Sequence, residues 1–333
     1  MPRACPIQWP PGFAGWTGAK PATMISMTKS TNPAFQPLTG LYEPSAIQQL
    51  PDGRFLVVED EQEHSFSLLS LQADGTASSE PIGPGWFQGG GAIWNMEDLE
   101  GLSIDNLGFL YAVTSHSRDS EGNAKKPREK LARFRIEAGR VVKPVVVGGL
   151  KRALIEAHPV LAAAALVSQA KSGDGFNIEA LEITPDGRRL LIGFRSPLQH
   201  GQALIASVEN PAAIFEADAV PQVSGPLVVL DLGGQGIRGM SYLASLSGYL
   251  VISGPTSREN ENFGLWFWSG LPDAPARRVT VAGLQGLERA EGVSPAVVEG
   301  AARIVIVSDD GDRKAGRFAQ FVLLEPGQLQ IAA

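Results

Sequence analysis

Residues 43–61 read EPSAIQQLPDGRFLVVEDE, and this pattern recurs four more times along the chain. A charged residue and a small residue open a short apolar run, a turn follows, and a second apolar run ends in polar residues. Apolar runs of this length separated by Gly-containing turns are typical of β-hairpins. The other copies are EGLSIDNLGFLYAVTSHSRD from Glu100, EALEITPDGRRLLIGFRSP from Glu179, RGMSYLASLSGYLVISGPTS from Arg238 and EGVSPAVVEGAARIVIVSDDGD from Glu291.

The spacing of the five copies predicts the architecture. The copies begin 57, 79, 59 and 53 residues apart, and further strand-like runs follow them, such as GLWFWSGL at 264–271. The longest interval contains the stretch 150–171, LKRALIEAHPVLAAAALVSQAK, which reads as a helical insert. Units of four strands that repeat about every 50–60 residues are typical of β-propellers, whose radial stacking buries the apolar faces of the sheets.

We therefore predict an all-β fold, with a single propeller at residues 31–333 after a partly irregular N-terminal extension at residues 1–30. Five copies of the pattern are visible, with 42 residues before Glu43 and 43 from Glu291 to the end. These flanks suit one blade that strands from both termini close together. Two compact blades also fit, so five blades are favoured and six are the alternative.

The composition agrees with a turn-rich protein dominated by strands. The 333 residues include 38 Gly and 24 Pro, too few for a disordered low-complexity chain and many for a helical bundle. The net charge of −7, without long basic runs, argues against nucleic acid as a partner. The single cysteine, Cys5, rules out an internal disulfide and a cysteine-based zinc site.

The N-terminal sequence and the hydropathy predict where the protein works. The first 20 residues contain no apolar run typical of a secretory signal, and no apolar stretch reaches the ~18 residues that cross a membrane. We therefore expect a cytoplasmic protein without a membrane partner, either a monomer or a homodimer. The expected partner is a small anionic ligand.

Polar residues recur at two points of each hairpin that a propeller brings together at the mouth of its central channel. The first strand of a blade runs down the axis and the second returns, so the start of the first strand and the end of the second lie on the same face of the propeller.

Four glutamates at strand starts cannot all stay ionised without compensation. A hard divalent cation, with Ca²⁺ the best candidate, is one solution, and arginine pairs are another. A ring of charges with a purely structural role is the alternative to a functional site. The candidate metal ligands are Glu43, Glu100, Glu179, Glu291 and Asp310.

Other residues at these points are candidates for proton transfer and ligand binding. Histidine and aspartate at a channel mouth can act as general acid or base, and arginine can hold an anionic group. A tryptophan there can stack on a ligand, although packing between blades is an equal alternative. The catalytic candidates are His116 and Asp309, and the substrate-binding candidates are Arg118, Arg195, Arg238 and Trp94.

Several stretches resemble a known family. Residues 98–102 (DLEGL), 177–181 (NIEAL), 193–197 (GFRSP) and 308–311 (SDDG) are similar to an uncharacterised bacterial β-propeller family of unknown function. That family is akin to phytase-like esterase propellers and, more distantly, to calcium-dependent propellers of the gluconolactonase type. The resemblance implies a hydrolytic site at the channel mouth, with a metal ion as a further option. Arg238 departs from a complete ring of glutamates, which favours an anionic ligand or a glutamate–arginine network.

Together these observations predict a small-molecule-binding propeller. We expect metal-assisted hydrolysis of a phosphoester, an ester or a lactone at the channel mouth. The alternative is a non-catalytic scaffold or binding module whose ring of glutamate and arginine is structural. Direct glutamate–arginine pairs that fill the mouth would favour the scaffold.

Overall fold

The computed structural model describes residues 32–60, 65–84, 91–168, 173–223, 225–257, 262–284, 286–287 and 289–333. The chain divides into two units, Met1–Asn32 and Pro33–Ala333. The fold and the site described below belong to the second unit. The predicted N-terminal extension, residues 1–30, lies outside the described residues.

Antiparallel sheets of consecutive strands make up the second unit. A short strand precedes them, β1 (Gln36–Pro37). The strands of the first sheet are β2 (Pro44–Gln49), β3 (Phe55–Glu59), β4 (Phe66–Leu71) and β5 (Ala77–Pro81). Those of the second are β6 (Leu99–Ile104), β7 (Leu110–Thr114), β8 (Leu131–Glu137) and β9 (Arg140–Val147). Those of the third are β10 (Asn177–Ile183), β11 (Leu190–Ser196), β12 (Ala203–Val208) and β13 (Val228–Leu230).

Two more sheets follow, so the described part of the chain forms five blades. The strands of the fourth are β14 (Gly236–Leu243), β15 (Gly248–Gly254), β16 (Gly264–Trp268) and β17 (Arg277–Val281). Those of the fifth are β18 (Ala290–Val298), β19 (Ala301–Ser308) and β20 (Gln320–Leu324), and β21 (Leu329–Ile331) ends the chain. The prediction of an all-β propeller with five blades is confirmed.

Strands from both ends of the chain close the ring. The N-terminal strand β1 pairs with β20, so the last blade has the order β1-β20-β19-β18. The C-terminal strand β21 pairs with β17 as a fifth strand of the fourth blade. Both pairings cover sheet edges that would otherwise expose unpaired main-chain groups.

The hydrophobic core consists of separate clusters between neighbouring blades. One large side chain from each cluster illustrates this: Phe134, Phe194, Trp268, Leu265 and Phe321 are all buried. Successive side chains of a strand point to opposite faces, so each sheet contributes apolar residues to the clusters on both sides. The blades are therefore held by face-to-face packing around the axis.

The helices lie outside the repeated strands. They are α1 (Leu150–Ala157), α2 (Pro159–Leu166) and α3 (Pro211–Ala217). Leu150, Leu154 and Leu161 are buried in the cluster between the second and third blades, so the predicted insert packs against the propeller. Pro159 begins α2, where its missing N–H costs no helical hydrogen bond. None of the helices in these described ranges is long and apolar enough to span a membrane.

Each innermost strand carries a β-bulge near its start. In the second blade Leu99 faces Thr114 and Gly101 faces Val113, so Glu100 is the extra residue. A bulge re-aims a side chain, and these extra residues line the channel mouth. The same register shift in the other blades makes the extra residues Ser45, Glu179, Arg238 and Glu291.

The register corrects one assignment in the predicted ring. In the first blade the residue equivalent to Glu100 is Ser45, so the prediction that aligned Glu43 with the ring is wrong by two positions. Glu43 precedes β2 and lines the mouth from outside the ring. The ring therefore holds three glutamates, one arginine and one serine.

The residue after each bulge is small because the next blade approaches closely there. A Cβ atom on Gly239 would overlap the main-chain carbonyl oxygen of Glu291 in the next blade. On Gly292 it would lie 3.0 Å from the main chain of Ala46. This close approach explains the small residue that recurs in the sequence pattern.

Candidate functional site

A polar cavity of about 510 Å³ occupies the mouth of the central channel. Every blade contributes to it, through the bulged residues of the first strands and through the loops that follow the second strands. Just below the bulges the channel narrows to a space of about 10 Å³, roughly the room that one water needs. A ligand would therefore bind in the mouth rather than pass through the channel.

The structure brings eight of the eleven predicted site residues together in this cavity. The three others, His116, Trp94 and Asp310, do not line it. The eight are Glu43, Glu100, Glu179, Glu291, Asp309, Arg118, Arg195 and Arg238.

His116 is fully buried within the second blade. Its Nδ1 lies 2.8 Å from the main-chain oxygen of Thr114. Burial lowers the pKa of His116 to about 4, so the imidazole is neutral near pH 7. This position, away from the cavity, gives His116 no access to a ligand in the mouth.

Trp94 and Asp310 have partners elsewhere. The Trp94 ring packs edge-on against Phe66, with centroids 5.8 Å apart, beside the core between the first and second blades. Asp310 accepts a hydrogen bond of 2.7 Å from the Ser308 hydroxyl and another from the Gln320 amide. Packing between blades is thus the role that the geometry supports for Trp94.

A buried network of ion pairs fills one side of the mouth. Nε of Arg238 lies 2.9 Å from Oε2 of Glu179, and Nη2 of Arg238 pairs with Glu291. Nη1 of Arg195 lies 3.0 Å from Oε1 of Glu179. Burial lowers the pKa of Arg238 below its ordinary value, while the charge of Glu179 opposes that shift. These pairs hold the third, fourth and fifth blades together at the axis.

This network bears on the predicted metal site. Arg238 engages Glu179 and Glu291, two of the five predicted ligands, and Asp310 points to other partners. Within the described ranges, no three acidic or histidine side chains are grouped as a metal site requires. The predicted ligand set therefore does not form a metal cage in the described part of the chain.

The other side of the mouth is rich in carboxyl groups. Asp60 and Asp98 both line this side, close enough for the charge of one to affect the pKa of the other. Desolvation by the cavity walls, followed by the charge of Asp98, raises the pKa of Asp60 to about 8, against the opposing charge of Arg128. The pKa of Glu100 is also raised, first by desolvation and then by the charge of Glu179. Asp60 on this side therefore holds a proton near pH 7.

Asp309 lines the mouth directly after the second strand of the fifth blade. Desolvation raises the pKa of Asp309 to about 6, and the nearby charge of Arg238 opposes that rise. Its carboxyl group is therefore mostly ionised near pH 7, while that of Asp60 is mostly protonated. The mouth thus combines a proton acceptor with a proton donor.

Asp98 is held in place by several donors. The hydroxyls of Ser115 and Ser117 and the Nη1 atom of Arg128 all donate to its Oδ2, with Ser117 at 3.1 Å and Arg128 at 3.0 Å. The main chain of Asp98 adopts a φ of 63°, in the left-handed region that costs free energy for a residue other than glycine. These contacts therefore fix the carboxyl group of Asp98.

Sequence analysis did not single out the carboxyl pair as a site. Asp60 follows β3 and Asp98 stands two residues before a bulge, so both occupy positions that recur in the repeat. Their proximity depends on the register of two different blades, which the repeat alone does not reveal. Arg128 ends a short 3-10 helix, Lys126–Arg128, whose sequence does not belong to the repeat.

Arg118 differs from the other arginines of the mouth. Its Nη1 donates to the main-chain oxygen of Gly122 at 3.0 Å, and its Nη2 donates to that of Ala165 at 3.1 Å. No carboxylate in the described ranges lies within ion-pair distance of it. Arg118 is thus a positive charge at the cavity without a counter-charge from those ranges.

Residues 150–320, just over half of the chain, match the model of a family described as "Protein of unknown function (DUF3616)". The chain belongs to this family. The predicted resemblance to an uncharacterised propeller family is thereby confirmed. No curated protein has a sequence that matches this chain.

Solved structures similar to this chain are distant in sequence. A glucose dehydrogenase-type oxidoreductase from Thermus thermophilus is 16% identical, over 88% of this chain and 100% of that one, with a TM-score of 0.45. A PQQ-bound aldose sugar dehydrogenase from Streptomyces coelicolor is 15% identical, over 90% and 98%, with a TM-score of 0.41. A gluconolactonase from Xanthomonas campestris is 10% identical, over 94% and 96%, with a TM-score of 0.38. Similarity at this level carries no argument about function.

Proposed function

We propose that the protein hydrolyses a small anionic ester, lactone or phosphoester in the channel mouth. The observation that carries the proposal is that one cavity holds the neighbouring carboxyl groups of Asp60 and Asp98, the carboxyl group of Asp309 and the arginines. A carboxyl group that keeps its proton, Asp60, and a separate carboxylate, Asp309, provide both partners for general acid–base catalysis.

Each carboxyl group has a distinct role in this proposal. Asp309 accepts a proton from the attacking water, which then forms the new bond to the carbonyl carbon or phosphorus. Asp60 donates its proton to the leaving-group oxygen as the ester bond breaks. The pKa of Asp60, about 8, keeps it protonated near neutral pH, and the pKa of Asp309, about 6, keeps it ionised. Asp98 acts as a positioning residue for Asp60.

The arginines supply the anion-binding part of the site. Arg118 lacks a carboxylate partner in the described ranges, and the Arg195 side chain stays 22% exposed at the mouth despite its pair with Glu179. A guanidinium group presents planar donors that match carboxylate and phosphate oxygens. We therefore assign substrate binding to these two residues, and not to the more deeply buried Arg238.

The test is hydrolysis of p-nitrophenyl acetate, p-nitrophenyl phosphate and γ-butyrolactone by wild type and by Asp60→Asn. We expect Asp60→Asn to lower kcat about 100-fold or more, the usual range for loss of a general acid. The matched control is Asp186→Asn, in an exposed turn outside the mouth, which should leave kcat unchanged. Turnover of none of the three, or full activity of Asp60→Asn, would overturn the proposal.

The same assays address the predicted calcium dependence. Activity would be compared after treatment with EDTA and after addition of Ca²⁺. A rate that falls with EDTA and returns with Ca²⁺ would support the cation expected from the sequence. A rate that responds to neither would support hydrolysis by the carboxyl groups alone.

The second candidate function is a non-catalytic scaffold. The ion pairs of Arg238 with Glu179 and Glu291 favour it, because they fill one side of the mouth directly. We assign that structural role to these three residues and the catalytic role to the opposite, carboxyl-rich side. If the hydrolysis assays fail, the scaffold becomes the better interpretation of the whole mouth.

A further inference from the structure

A smaller cavity of about 50 Å³ adjoins the channel mouth beside helix α2. It shares four lining residues with the mouth, so the two spaces meet there. The shared residues are Ser117, Arg118, Asn177 and Ser196. A ligand in the mouth could therefore extend one of its groups into this side cavity.

The charge at the junction of the two cavities is positive. Arg118 donates to main-chain oxygens only, and its Nε is buried without a hydrogen-bond partner in the described ranges. The other cation of the side cavity, Lys151, is already paired, with its Nζ 2.7 Å from Oε1 of Glu129. An anionic group at Arg118 would therefore gain a charge-assisted contact that no side chain in those ranges supplies.

Part of the lining of the side cavity is apolar. Ala164 and Ala165 of α2 form one part of it, and Val167 and Phe176 form another. Ala164 is 4% exposed and Phe176 is 5% exposed, so both side chains are fixed by packing. Apolar surface that a ligand removes from water here favours binding in proportion to the area covered.

We propose that the side cavity binds the short apolar chain of a carboxylate or acyl group whose polar end lies at Arg118. This inference rests on the proposed function for the reaction, and it names the substrate as an ester of a short-chain acid. The acyl carbonyl, and the carboxylate that hydrolysis forms from it, would face Arg118, while Arg195 holds the anionic group of the substrate. A space of about 50 Å³ holds roughly four water-sized groups, at 10–15 Å³ for each. The chain that fits therefore has about three to five carbons.

The assignment gives the helical insert a role in specificity. Helix α2 supplies the wall that limits the length of the chain, and its Ala165 oxygen also orients Arg118. The insert thus connects the apolar part of the side cavity with its charged part.

The test is calorimetric titration of the full chain with sodium acetate, butyrate and octanoate at pH 7. Each added methylene that enters an apolar cavity strengthens binding about fourfold. We expect butyrate to bind roughly 15-fold more tightly than acetate on this basis, and octanoate to gain nothing further. Equal binding of acetate and butyrate, or steadily tighter binding up to octanoate, would overturn the proposal.

Two variants with the same substitution in α2 sharpen the test. Ala165→Leu fills the side cavity and should abolish the preference for butyrate over acetate. Ala163→Leu lies in the same helix, is exposed and does not line this cavity, so it should keep the wild-type preference. A preference that survives in Ala165→Leu would contradict the assignment. If that variant does not fold, the wild-type chain-length series still decides.

The binding titration tests the side cavity and the hydrolysis assays test the proposed reaction, so the two proposals can fail independently. Butyrate binding with the expected length dependence, together with no hydrolysis of the three assayed compounds, would refute the reaction and retain the side cavity. Hydrolysis that depends on Asp60 without any preference for butyrate would retain the reaction and refute the side cavity.

Discussion

Arg238 is the residue on which the structure of the mouth depends most. It is 8% exposed and stands between Glu179 and Glu291, which are 2% and 4% exposed. Without this guanidinium both buried carboxylates would keep their desolvation cost, while Glu291 would lose its ion pair with Arg238 and Glu179 would retain only Arg195. The positive charge of Arg238, at a position where the other ring members are mostly glutamates, therefore compensates the buried charges of Glu179 and Glu291.

Replacement of Arg238 by Met should destabilise the protein strongly. We expect the free energy of unfolding to fall by about 3–5 kcal/mol, the usual cost when one partner of a buried ion pair is removed. The control is Arg54→Met, which breaks an exposed pair with Asp52 and should cost under about 1 kcal/mol. If urea denaturation showed the same loss in the free energy of unfolding for both variants, the buried network would stabilise the protein no more than an exposed ion pair does.

At the scale of residues, the sequence predicted which residues occupy equivalent positions in the blades better than it predicted which side chains meet. The repeat identified Glu100, Glu179, Arg238 and Glu291 as equivalent, and the register confirms it. It misaligned the first blade because Pro44 and Ser45 interrupt the pattern of a charged residue followed by a small one. It also missed the pairing of Asp60 with Asp98, which depends on how two blades face each other.

At the scale of elements, the innermost strands carry a second set of polar residues three positions after each bulge. All five are buried, namely Gln48, Ser103, Glu182, Ser241 and Ser294. Glu182 is the ionisable member of this set. Its oxygens accept 2.8 Å hydrogen bonds from the Ser103 hydroxyl and the Tyr242 main-chain N–H, which ties the third blade to both of its neighbours.

Glu182 should make stability depend on pH. Burial raises the pKa of Glu182 to about 7, although its two hydrogen bonds oppose the rise. The folded chain thus holds a proton that the unfolded chain releases near pH 4.5. The associated stability is present below that pH and is lost as pH rises to about 7, at roughly 1.4 kcal/mol per pKa unit.

The prediction is tested by urea denaturation of wild type and Glu182→Gln at pH 5 and pH 8. We expect wild type to lose about 3 kcal/mol more than the variant between these two values. Asp60, Glu100 and Asp309 also have raised pKa values, but they are present in both proteins, so the difference isolates Glu182. Parallel pH profiles would show that Glu182 is not protonated in the folded state.

At the scale of the whole molecule, the number of blades followed from the repeat because every blade needs its own hairpin of innermost strands. The closing strands were predicted only in outline. β1 has two residues and β21 has three, too short for any periodicity, and only pairing shows that β21 joins the fourth blade. The helical insert was recognisable in the sequence because it lengthens one interval of the repeat. Its contact with Arg118 could not be predicted, because no sequence pattern relates the two.

The most direct test of the central claim is the pH dependence of kcat/KM for whichever ester or lactone the protein hydrolyses best. A donor at Asp60 and an acceptor at Asp309 predict a bell-shaped profile with limbs near pH 6 and pH 8. Asp60→Asn should lose the alkaline limb and retain the acid one. A profile without an alkaline limb in wild type, or one that Asp60→Asn leaves unchanged, would contradict catalysis by this pair.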